Sequence, residues 1–153
     1  MNEIARILPI GLLALSTLIA CEDDPVRPGH GHEEAEGVVV SAGATELVRY
    51  TDDAGATPDT LVLQSGTATA VTVSFLDHDG QAIMLPIAGD EEEQYSIDML
   101  FAPLANVTWA EGAIGSGTGT LTAGAAGDTN VTIQLLHGDH ADWQSVAIPV
   151  RVE

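Results

Sequence analysis

Apolar and polar residues alternate with a period of two along most of the chain beyond Gly37. The clearest run is Val131 to Val152. Val131, Ile133 and Leu135 alternate with Thr132, Gln134 and Leu136. After a break, Val146, Ile148, Val150 and Val152 alternate with Ala147, Pro149 and Arg151. Successive side chains of a strand point to opposite faces, so this pattern predicts two half-buried strands. One polar loop, His137-Gly138-Asp139-His140-Ala141-Asp142, joins them. Upstream, the same reasoning predicts strands over Gly37–Ser41, Glu46–Tyr50, Thr60–Gln64 and Ala70–Leu76, the last with Val71, Val73 and Phe75 on one face. A short strand follows at Gln81–Leu85, ended by Pro86. Tyr95–Phe101 places Tyr95, Ile97, Met99 and Phe101 inward. Asn106–Trp109 and Gly115–Ala123 complete the set. Turn signals fall at Ser65-Gly66, Asp77–Gly80 and Gly124–Asp128, and an acidic loop spans Ala88–Gln94. No segment carries a helical period. Strands punctuated by turns every 8 to 12 residues or so predict an all-β sandwich of about eight or nine strands over residues 37–153.

The first 36 residues follow other rules. Arg6 opens an apolar run from Ile7 to Ala20 that is shorter than the roughly 20 residues a spanning helix needs. It ends in Leu18-Ile19-Ala20-Cys21. This resembles the lipobox of bacterial lipoproteins, with Leu at −3, a small residue at −1 and the chain's one cysteine at +1. The resemblance implies a signal peptide over residues 1–20 and lipidation of Cys21, hence a membrane anchor outside the cytoplasm. Each buried methylene contributes about 0.8 kcal/mol, so more than one acyl chain gives stable anchoring. With its cysteine acylated the chain keeps no thiolate, which removes cysteine nucleophiles and thiolate zinc sites. Residues 22–36 are acidic, with Pro25, Pro28 and several glycines, and read as a flexible tether. His30 and His32 lie within it as possible metal ligands.

Charge narrows the function classes. The chain carries 23 acidic and 4 basic residues, a net charge of −19. Nucleic acid and anionic membrane surfaces are poor partners for it, whereas cations are attracted. Solubility, or adaptation to salt, accounts for the same acidity without any ligand. No nucleophile elbow, P-loop or dinucleotide fingerprint is present, so an enzyme is not expected.

The C-terminal two-thirds resembles bacterial immunoglobulin-like domains of the group 2, invasin/intimin-like type. The likeness is carried by Val71 to Gly80 with its Asp-Gly turn, by Val107-Thr108-Trp109, by the Gly-rich stretch Gly119 to Ile133, and by the closing Val146 to Val152. It implies an antiparallel immunoglobulin-like β-sandwich, a cell-envelope location and a structural or adhesive role. An extra strand pair at the front and the acidic insertion around Glu91 depart from the pattern.

In such a sandwich the strands Ala70–Leu76 and Val131–Leu136 run in the same direction, so the loops after them share one end. His78, His137 and His140 are therefore expected at one pole, beside Asp77, Asp79, Asp139 and Asp142. If the first three strands form a simple meander, the Asp52-Asp53 loop and the tether start there too. Imidazole and carboxylate suit zinc, and imidazole also suits copper(II) and nickel. Asp77-x-Asp79-Gly80 is a fragment of a calcium loop without its remaining ligands. The expected ligands are His137, His140 and His78, with Asp139 or Asp142 in support, and the expected role is metal capture or delivery to an envelope protein. The competing reading is a structural or adhesive module in which Asp, Gly and His are ordinary turn residues. Trp109 and Trp143 are expected in the core or at its corners. Metabolic labelling with a radioactive fatty acid tests the anchor: label and membrane fractionation are expected for the native chain, and both should be lost in Cys21→Ser.

Overall fold

A computed structural model describes residues 34–53, 56–84, 95–102 and 106–153. The leader, Cys21, His30, His32 and the Glu91–Glu93 run lie outside the described residues. The strands are β1 (Gly37–Ala42), β2 (Thr45–Thr51), β3 (Leu61–Leu63), β4 (Ala68–Leu76), β5 (Tyr95–Ala102), β6 (Val107–Glu111), β7 (Thr118–Ala123), β8 (Gly127–His137), β9 (His140–Gln144) and β10 (Ile148–Val152). They form two sheets, ordered β2-β1-β4-β7-β6 and β3-β10-β8-β5, with β9 paired to β8. The segment β1-β4-β7-β6 has the strand order ABED of a constant-type immunoglobulin sandwich, and β5-β8-β10 has the order CFG. Among the described residues no helix is long and apolar enough to cross a membrane.

The alternation read from the sequence is the core. Val71, Val73 and Phe75 of β4 face Ile97, Met99 and Phe101 of β5 and Val131, Ile133 and Leu135 of β8 within one buried cluster. Ile148, Val150 and Val152 close it. Each fully buried side chain of this size contributes roughly 1.5–3 kcal/mol. Trp109 packs against the cluster and Trp143 lies in it.

Four local expectations are corrected. The polar loop at residues 137–142 is a hairpin, because β9 turns straight back onto β8. Val146 is therefore not inward but 47% exposed, as the chain crosses from β9 to β10. The turn at Gly124–Asp128 ends early, since β8 begins at Gly127 to pair with Val152. Residues 81–84 make only an isolated bridge, Leu76 to Ala82, in place of a strand. The first three strands are also not a simple meander. The β1–β2 hairpin stays in one sheet, while β3 crosses to the other and pairs in parallel with β10, so that sheet is mixed.

The open edge of β5 is closed by side chains rather than by another strand. Trp109 Nε1 of β6 donates to the Ile97 carbonyl at 2.9 Å, and the Ile97 N–H donates to Glu111 Oε1 at 3.0 Å. The Met99 N–H donates to Asp98 Oδ1 at 2.8 Å. Unpaired backbone groups on a sheet edge invite pairing with other chains, and here these three are occupied. Gly119 makes room for the tryptophan: a Cβ there would lie 2.1 Å from its ring. Burial pushes the Glu111 carboxyl above its ordinary range, against the pull of backbone bonds from Ile97 and Gly115 and with Asp98 adding repulsion.

A carboxyl held high favours the folded state below its unfolded value of 4.5, and that contribution is lost as the pH rises through the folded value. Glu111→Gln keeps an acceptor for Ile97 and cannot ionise, so it should be at least as stable as the native chain at about pH 7. Glu111→Ala leaves a buried N–H unsatisfied and should cost about 1–3 kcal/mol. Urea unfolding of the three chains at acid and neutral pH checks both expectations.

Candidate metal centre

The site grows from the end of β8. Its core-facing row of Val131, Ile133 and Leu135 continues to His137, which stacks on Tyr95 of β5 with ring centroids 4.7 Å apart. Tyr95 is also the register partner of His137. The chain then reverses through Gly138 and Asp139, and His140 pairs directly with His137. Gly138 has φ +61° and stands first in the two-residue turn, the position where a type II′ hairpin turn requires glycine. Gly-Asp between two strands is therefore a hairpin signal, and it is the signal that a reading of 137–142 as one loop overlooks.

One irregularity shapes the site. Leu136 pairs with Ala141, but Leu135 pairs with Trp143. Asp142 is the extra residue of a β-bulge. A bulge shifts the alternation by one and re-aims the side chains around it. Trp143 is thereby turned inward, where it meets Phe75 edge-on at 5.5 Å and is only 9% exposed. Asp142 stays at the rim facing the two histidines.

His137, His140 and Asp142 each offer one ligand atom, and these atoms lie within 4.8 Å of one another. His140 Nε2 is 3.0 Å from Asp142 Oδ1, and His137 Nδ1 is 3.6 Å from Asp142 Oδ2. A tetrahedral zinc with bonds of about 2.0–2.1 Å places its ligand atoms about 3.3 Å apart, and the two spacings, one to each carboxylate oxygen, lie on either side of that value. The two nitrogens of His137 stand in different surroundings. Its Nε2 is buried with no hydrogen-bond partner among the described residues. Its Nδ1 faces Asp142 beyond ordinary hydrogen-bond length. A cation between Nδ1 and the carboxylate would put the ring proton on the buried Nε2, where metal-ligating histidines normally have an acceptor. Two imidazoles and one carboxylate suit zinc, copper(II) or nickel and do not suit calcium, which takes six to eight oxygens or so.

The other expected ligands sit elsewhere. The Asp139 carboxylate lies 3.7 Å from His140 Nδ1, on the opposite side of that ring from Asp142, and is outside the three-residue group. His78 is outside it too. It follows β4, is largely exposed, and approaches Asp79 at 3.4 Å. It lines a cleft of about 190 Å³ with Glu36, Thr51, Asp52, Asp53, Asp77 and Asp79.

Among the described residues the loops expected at one pole do lie together, while His30 and His32 fall outside those residues. Gly37 pairs with both Thr51 and Leu76, which brings the start of β1, the end of β2 and the end of β4 together. Asp52 joins that end to the hairpin, because Trp143 Nε1 donates to Asp52 Oδ2 at 2.9 Å. The Tyr50 hydroxyl is also hydrogen-bonded to Asp52. That bond, then burial, then the carboxylate's charge push the tyrosine up to about 12. Sequence reasoning placed Asp52 at this pole but gave it no role. Nothing in the spacing of residues 91 positions apart signals the bond.

The strand order and this hairpin define an immunoglobulin-like β-sandwich bearing a His-His-Asp cluster at one end. No family model and no curated protein matches the chain. Among solved structures it is similar to domains 4 and 5 of the S-layer protein SbsC, at TM-score 0.38 and 18% identity over 61% of this chain. The chain spans 47% of the length of that structure. It is also similar to the ZirS C-terminal domain, at TM-score 0.35 and 14% identity, over 100% of this chain and 87% of the other.

The Tyr50–Asp52 bond has a direct readout. The chain has two tyrosines, and in a spectrophotometric titration one should ionise near pH 12. Asp52→Ala removes both the acceptor and the charge, so that transition should move down toward the ordinary value of 10.0. An unchanged titration would mean that Asp52 does not hold the hydroxyl.

Proposed function

We propose that the chain is an envelope lipoprotein whose sandwich binds a divalent transition metal, zinc in the first place, at His137, His140 and Asp142. The observation that carries this reading is the convergence of three metal-competent ligand atoms within 4.8 Å on one hairpin. The net charge of −19 supports it, because it raises the local concentration of cations. Three protein ligands leave a fourth position of a zinc tetrahedron open. His140 is 65% exposed, so that position is accessible from outside. An accessible, incompletely filled site suits capture of an ion and its transfer to a second envelope protein. The lipid on Cys21 would keep the domain at the membrane where such transfer occurs. We assign no catalytic step to the site.

The same exposure favours a second reading, a structural or adhesive envelope module whose exposed histidines pair with aspartates without an ion. Calorimetric zinc titration of the whole chain separates the two. A His30→Ala/His32→Ala background ensures that the hairpin alone is read. One zinc per chain at micromolar or tighter affinity, about −8 kcal/mol or better, is expected. It should be lost in His137→Ala/His140→Ala and strongly weakened in Asp142→Asn. Weak binding that fades with salt and ignores these substitutions would mean that charge alone attracts cations, and the metal-free module would then stand.

A further inference from the structure

We propose that Asp52 is a positioning residue for the hairpin metal site and acts on it through Trp143. The inference rests on the metal reading of His137, His140 and Asp142 and adds the device that holds their geometry.

The alternative to the bulged pairing is a regular one. Without the bulge, the pairing of His137 with His140 would continue regularly. Asp142 would then oppose Leu135, and Trp143 would oppose Gln134. A one-residue shift moves side chains to the other face of a strand. Trp143 would leave the core for the outer surface, and the Asp142 carboxylate would stand beside a leucine that is 4% exposed. The bulged register instead keeps Trp143 inward and Asp142 at the rim.

The Asp52 bond favours the bulged register. Only an inward indole can donate to a carboxylate that belongs to the opposite sheet, and it does so at 2.9 Å. The acceptor is itself fixed. The Asp52 N–H donates to the Glu36 carbonyl at 2.7 Å, and its side chain also holds the Tyr50 hydroxyl. Tyr50 lies 6.4 Å from Trp143, ring to ring. Asp52 thus ties the residue next to Asp142 to a frame built by β1 and β2. Its loss frees the hairpin to sample the other register, in which the Asp142 carboxylate is drawn from the rim toward Leu135 and the ligand spacing changes. Partners hydrogen-bonded directly to metal ligands typically account for about 10- to 100-fold in affinity, which sets the scale for a bond made through the neighbouring residue.

The test is a double-mutant cycle on zinc affinity in the whole chain, again with His30 and His32 replaced by alanine. Thermal melting verifies that each chain is folded. Asp52→Ala should weaken zinc binding about 10- to 100-fold. Trp143→Phe keeps the ring on Phe75 but removes the N–H, and should weaken it by a similar factor. The double substitution should be no worse than either single one, because both remove the same bond. Asp52→Asn retains an oxygen acceptor for the indole and should restore most of the affinity. Trp143→Phe also serves if Asp52→Ala does not fold. Native zinc affinity in Trp143→Phe would overturn the inference and leave the metal site standing. So would losses that simply multiply in the double substitution. Absence of stoichiometric zinc binding in the parent chain would overturn the metal reading itself, and the inference with it.

Discussion

Strand β8 is the constraint on which the rest of the molecule depends. It is the longest strand, and it shares one of its two edges between successive partners. Along one edge it pairs with β5 from Ala102 to Tyr95. Along the other it pairs with β10 over its first residues and with β9 over its last. That edge cannot serve β9 and β10 at the same position. The chain therefore has to fold back at Gly138, leave the edge after Ser145, whose N–H still donates to the Ile133 carbonyl, and return lower down at Ile148. The hairpin and the exposed crossing at Val146 follow from this division. So does the place of the candidate metal site, at the end of β8 that β10 does not reach.

The physics of the site lies in where that end falls. His137 continues a core-facing row, so one of its nitrogens is shut away from solvent and its ring is fixed against Tyr95. His140 and Asp142 stand at the rim and are open to water. A group fixed on the apolar side and two groups reachable from outside give a preorganised but accessible ligand set. The surrounding charge acts at longer range. It raises the concentration of cations near the protein without discriminating among them, and discrimination falls to the imidazoles. The cleft around His78 shares the pole and the acidity, yet it brings no comparable trio of ligand atoms together.

The two sheets manage their joint edge by a related principle. Backbone groups of β5 that no strand can reach are met by side chains of β6, one donor from Trp109 and one acceptor from Glu111. At the opposite lateral edge, level with these contacts along the strands, Trp143 and Asp52 make the same kind of bridge between the sheets, side chain to side chain. Each tryptophan is thus both a packed ring and a directed donor. Buried indole N–H groups need partners, so these contacts fix sheet position more narrowly than apolar packing does.

What the sequence determined by itself is the part governed by local periodicity. Inward residues of β4, β5 and β10 could be read from alternation, because a strand that is half buried must alternate. The sandwich class followed from strand length and turn spacing, and His137, His140 and Asp142 could be picked out as metal-competent by type. Tertiary structure decided the rest. Gly138-Asp139 carried a hairpin signal, but only competition for the β8 edge explains why β9 forms and why Val146 stays outside. A bulge has no signature in a short polar stretch, since it exists only relative to the partner strand's register. His78 was expected among the ligands because its loop shares a pole with the hairpin. A shared pole spans more than the few ångströms that coordination allows, and only the folded chain sets distances on that scale. Asp52 and Trp143, 91 residues apart, meet because two sheets stack, and no spacing along the chain encodes a contact made across a core.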